Sequence, residues 1–160
     1  MYGTLYSSIP YAGMSQALTA AADFLAALAA RWASSSDFAG LPPAYYGSAP
    51  AKVDPPYITI AQVSGKTGGR ATGSKAYWED KIFRFSVWHP NEDQAVSIGE
   101  QMIAALDPIL DVPLSFANGY QMTFYRTGDD LIKPPSIAKP GTLLYQQTYL
   151  YRVRIGRERR

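Results

Sequence analysis

The 160-residue sequence contains no cysteine and a single histidine. Without cysteine there is no disulfide framework and no thiolate metal site, and the chain suits assembly in a reducing compartment. One histidine, His89, makes a histidine-based metal site or a catalytic triad depend on a single residue. It precedes Pro90 at a strand-to-helix junction, where a turn role accounts for it. Charge is also sparse: 18% of residues are charged and the net charge is +2, too small to mark a nucleic-acid binder by itself. The opening, MYGTLYSSIPYAGM, lacks the basic region of a signal peptide. The longest apolar stretch, ALTAAADFLAALAARWA, is interrupted by Asp23 and Arg31 and is too short between them to span a bilayer of about 30 Å. These absences lead to the expectation of a soluble, single-domain protein over residues 1–160, with no membrane partner.

Aromatic residues are plentiful, at 13%, and 12 of them are tyrosine. A tyrosine joins an apolar ring to a polar tip and serves cores and subunit contacts alike. The spacing of Leu18, Leu25, Leu28 and Trp32, with Phe24 and several alanines, predicts a helix over 15–33 capped by Ser15. Residues 34–56, rich in proline, serine and glycine, read as a long connector. YITIAQV (57–63) and YWEDKIFRFSVW (77–88) read as two strands. Ile58 and Ile60 share one face of the first, and Phe83, Phe85 and Val87 share one face of the second. A second helix is predicted over 92–107, with Asn91 as its cap, Glu92 and Asp93 at the positive end of its dipole, and Ala95, Ile98, Met102, Ala105 and Leu106 facing inward. Two further strands, 120–126 and 143–155, flank a second loop over 127–142. The last strand places Tyr145, Tyr149, Tyr151, Val153 and Ile155 on one face. The expected fold is a two-layer α+β domain: a four-stranded antiparallel sheet with two helices packed on one face and a long hairpin loop.

That hairpin loop carries the sequence QVSGKTGGRATGSK. Gly65-Lys66-Thr67 follows a strand, as in a phosphate-binding loop, but the pattern GxxxxGK[ST] would need glycine at position 60, which is Ile60. No helix pattern follows either, and phosphate binding of that kind uses helix N-terminal amides. What remains is a glycine-rich basic finger over 64–76, with Lys66, Arg70 and Lys75, expected to gain order against an acidic partner. Adjacent acids Glu79 and Asp80 point to opposite faces of their strand and cannot act as an acid–base pair. Glu92-Asp93 belongs to a helix start and Asp129-Asp130 to a turn. No cluster assembles an enzyme, a cofactor site or a metal site. The C-terminus, RVRIGRERR, is basic through Arg152, Arg154, Arg157, Arg159 and Arg160.

In KIFRFSVWHPNEDQAVSIGEQMIAAL a strand ends in an aromatic VW, a short polar turn follows, and the next helix ends in AAL. Together with PYITI upstream and YQQTYLYRVRI at the end, this order of elements over residues 15–155 resembles the tail-terminator or tail-completion proteins of long-tailed bacteriophages and related particles. The resemblance implies a non-enzymatic α+β protein. It would form a homomeric ring, commonly a hexamer, which caps the tail tube and offers the head-joining surface, assembling in the host cytoplasm and residing at the head-proximal end of the tail. The implied partners are other copies of the chain, the tail tube protein, a head-completion or connector protein, and DNA passing through the lumen. The Pro-rich segment 34–56 and the loop 64–76 depart from the family's pattern. Tyr45, Tyr46, Leu131 and Ile132, placed on connectors, and the cations Lys66, Arg70, Lys75, Arg152 and Arg154 are the expected interface residues. Two alternatives stand beside this reading: a head-completion protein at the same junction, and a nucleic-acid-binding module using the basic loop and tail.

Overall fold

The alternation in KIFRFSVW becomes a strand whose inward residues are all fully buried: Phe83, Phe85 and Val87 have no exposed surface. The computed structural model describes the backbone of residues 5–7, 20–67, 76–110, 121–139 and 142–158. Over these residues the chain runs β1 (Leu5–Ser7), α1 (Ala20–Ser34), β2 (Ala44–Tyr46), β3 (Tyr57–Thr67), β4 (Ala76–His89), α2 (Glu92–Leu106), β5 (Gln121–Lys139) and β6 (Thr142–Glu158). The strands form one mixed sheet in the order β1-β2-β3-β4-β6-β5.

The α+β class with two helices on a sheet agrees with the sequence expectation; the strand count and pairing do not. β3, β4, β6 and β5 are antiparallel, as expected. At the β3 edge, β2 and β1 add two short parallel strands. β2 lies inside the segment read as a connector. Three residues between Pro43 and Gly47 are too few to display a period of two. Pairing to an existing strand edge, with Ala44 opposite Ile58 and Tyr46 opposite Ile60, makes them a strand.

The second predicted loop also differs. Residues 127–139 continue β5, and Pro134 and Pro135 fall within it. Proline is tolerated there because β5 is the outermost strand among the described residues, so a missing N–H breaks no interior ladder. The register slips between Asp130 and Lys133 and again between Lys133 and Ser136, which absorbs the irregular backbone. At the other hairpin, residues 64–67 extend β3 past the predicted end at Val63. Residues 68–75 lie outside the described residues, as do Ser15 and Leu18 of the first predicted helix.

Both helices cover the same face of the sheet. From α1, Phe24, Leu28 and Trp32 are fully buried, and Leu25 nearly so. The Phe24 ring meets Phe83 on β4 at 4.8 Å, and Trp32 meets Phe38 at 4.5 Å. From α2, Ala95, Met102 and Leu106 are fully buried and Ile98 packs partly buried against the core. Each large apolar side chain removed from water in this way contributes about 1.5–3 kcal/mol. Tyr149, Tyr151 and Val153 complete the sheet's inner face as the spacing predicts, while Tyr145 is half-buried. Asn91 caps α2: its side-chain oxygen accepts the Gln94 N–H at 3.0 Å. His89 has the turn role expected of it, with Nδ1 accepting the Asn91 N–H at 2.9 Å.

Candidate functional site

Parallel neighbours cannot be joined by a tight turn. The chain leaves β2 through Gly47, whose φ of 84° suits glycine, and returns to start β3 at Tyr57. This crossover passes over the sheet face opposite the helices. Between it and the strands lies a groove of about 380 Å³, floored by outward residues of β3, β4 and β6 and walled by residues 47–51 and 53–55.

Its floor follows from strand alternation. Phe83, Phe85 and Val87 point to the core, so Arg84, Ser86 and Trp88 point to the groove. Trp88 is fixed by its indole N–H, which donates to Thr59 Oγ1 at 2.9 Å, and by the Tyr57 ring 6.2 Å away. Ser86 and Thr148, directly paired across β4 and β6, are almost fully buried and share a hydrogen bond at 3.1 Å. The Gln146 amide donates to Ser86 Oγ at 3.0 Å, leaving its carbonyl oxygen as an acceptor. Arg84 is half-buried and places a permanent cation on this otherwise neutral floor.

Farther along the same face, Asp80 and Arg154 are direct cross-strand partners and form a two-pronged ion pair, with Nε to Oδ1 at 2.8 Å and a second nitrogen to Oδ2 at 2.9 Å. Hydrogen bonding from Arg154 holds the Asp80 carboxyl below its usual 3.8; partial burial opposes this, and the charges of Arg154 and Arg152 reinforce it. A carboxyl lowered in the folded state stabilises the fold above its unfolded value, and that contribution is lost as pH falls through the folded value. Arg154→Ala is therefore expected to lower the thermal midpoint slightly at neutral pH. The difference from wild type should disappear only in acid below 3.8. A difference that persists unchanged there would assign the effect to the arginine stem.

The structure separates the residues that the sequence grouped as an interface. Tyr45 and Tyr46 are strand residues, not connector residues. Tyr46 packs against the core, and Tyr45 is 9% exposed with its ring 6.4 Å from Tyr57. Leu131 and Ile132 fall in β5 rather than on a loop, and Lys66 falls in β3 opposite Asp80; their side chains lie outside the described residues. Arg70 and Lys75 lie wholly outside them. Arg152 and Arg154 sit on the groove-side face, with Arg154 bound to Asp80. The groove brings together Tyr57, Arg84, Trp88 and Gln146, which the sequence reading did not group. The outward alternation of Arg84, Ser86 and Trp88 was the available signal.

Among the described residues, no group of three or more His, Cys, Asp or Glu could hold a metal ion, and no helix is long and apolar enough to cross a membrane. No family model matches the chain, and no curated protein matches it.

Proposed function

We propose that this chain is a structural protein of a phage-type tail, forming a closed ring of about six copies on the end of the tail tube and presenting a surface to the head connector. The number six comes from the family resemblance. The observation that carries the reading is the pair of unlike sheet edges. Among the described residues, one edge is the three-residue β1 and the other is β5, whose run from Gln121 to Arg126 pairs with β6 without a slip. Exposed strand edges invite pairing with another chain. Two different edges favour head-to-tail contact, the kind that closes into a ring when the rotation between copies fits. Closure also stops growth, which a cap on a tube requires.

Large apolar side chains are also left exposed among the described residues: Leu143 on β6, paired with Ile137 of β5, is 52% exposed, and Val63 on β3 is 45% exposed. Imaging of assembled particles is expected to find one ring of this chain at the head-proximal tip of the tail. Its distribution along the tube, or its absence from the particle, would overturn the reading.

A further inference from the structure

We infer that the groove beneath the 47–55 crossover binds an extended peptide segment of a protein partner, which presents a carboxylate to Arg84. A half-buried guanidinium costs desolvation energy that an anion recovers. Among the described residues Arg84 makes no side-chain hydrogen bond or ion pair. Asp54, the acidic residue among those lining the groove, is exposed and already has its own contact. The volume of about 380 Å³ is in the range of ligand sites, and the floor mixes aromatic surface with a few fixed polar groups, as such sites do. The chemistry is complementary to a peptide. Arg84 offers a planar donor pair to a carboxylate, the Gln146 carbonyl offers an acceptor to a backbone N–H, and Trp88 and Tyr57 offer flat apolar surface. Trp88 and Gln146 are held in place by the Trp88–Thr59 and Gln146–Ser86–Thr148 hydrogen bonds, so little order has to be created at these two groups on binding. The crossover covers the groove from one side, which suits a narrow chain and excludes a nucleic-acid duplex.

The test uses the purified full chain and a displayed library of random hexapeptides, and it does not depend on where the chain resides in a particle. Selected peptides are expected to share an Asp or Glu. Replacing that residue by Asn or Gln in the peptide, or making Arg84→Gln in the protein, should each weaken binding about tenfold or more. The two changes together should cost little more than either alone, because they remove the same contact. Arg84 is part of the sheet, so Arg84→Gln is checked for folding by circular dichroism. Ser48→Trp is a second variant, which fills the groove from the exposed crossover without touching the sheet. It should abolish binding with the fold intact. Since the chain has no cysteine, Ser48→Cys carries a single fluorophore whose signal should shift when a selected peptide is added. Selection that yields no peptides, peptides without an acid, or binding indifferent to Ser48→Trp would overturn the proposal. So would a DNA oligonucleotide whose binding depends on Arg84 and is blocked by Ser48→Trp, which would give the groove to nucleic acid.

Discussion

Phe85→Ala is expected to destabilise the protein by about 3–5 kcal/mol, read as a fall in the urea midpoint with little change in slope. Phe85 has no exposed surface and sits in the middle of β4, between Ile60 on β3 and Tyr149 on β6. Its ring meets Tyr151 edge-on at 5.2 Å, an arrangement that contributes beyond the area buried. Alanine would leave a cavity bounded by two other strands and the helix layer, none of which can shift alone. The exposed Val63 is the internal comparison: Val63→Ala should change stability by no more than about 0.5 kcal/mol. A loss under about 1 kcal/mol at Phe85 would contradict the packing described for this face.

Gly99→Ala should also destabilise, although alanine is the better helix former by up to about 1 kcal/mol. Gly99 is on the buried side of α2, where the Tyr149 ring lies against the helix backbone. A methyl group there would sit 2.8 and 2.9 Å from two ring carbons of Tyr149 and closer still to its hydroxyl. Tyr149 is 3% exposed, so the ring has nowhere to swing. Overpacking of this kind costs about 1–3 kcal/mol and outweighs the helical gain. Tyr149→Phe removes the nearest atom. The double variant Gly99→Ala/Tyr149→Phe is therefore expected to lose less stability than the sum of the single changes. Strict additivity in thermal unfolding would mean that the helix shifts away from the ring.

The two predictions rest on features of different legibility. The burial of Phe85 could be read from the alternation in β4, and the inward faces of both helices from their spacing, because burial on one face imposes a period on the sequence. The contact at Gly99 could not. In sequence it is a glycine inside a helix, and only the placement of Tyr149, fifty residues later, gives it a reason. β2 was hidden because a three-residue strand has no period, and the prolines of β5 argued for a loop where an outer strand accommodates them. The groove was half legible. Arg84, Ser86 and Trp88 alternate visibly, but the roof that turns their face into a site depends on β2 pairing parallel to β3. The placement of Tyr45 and Tyr46 on a connector has the same origin: the pairing to β3 that makes their segment a strand leaves no trace in three residues.

The strand order has a consequence for how the chain comes off the ribosome. β6 follows every other described element in the sequence, yet it lies between β4 and β5. Its ladder with β4 joins residues such as Asp80 and Arg154, 74 positions apart. During synthesis, the β3–β4 hairpin and both helices emerge while β4 still has an open edge and β5 has no neighbouring strand. The sheet closes only when the last strand is inserted between them. Contacts so distant along the chain make folding slow, and an uncovered β4 edge meanwhile is a surface on which nascent copies can pair wrongly. A nascent chain halted before β6 is, by this order, two unjoined pieces of a sheet.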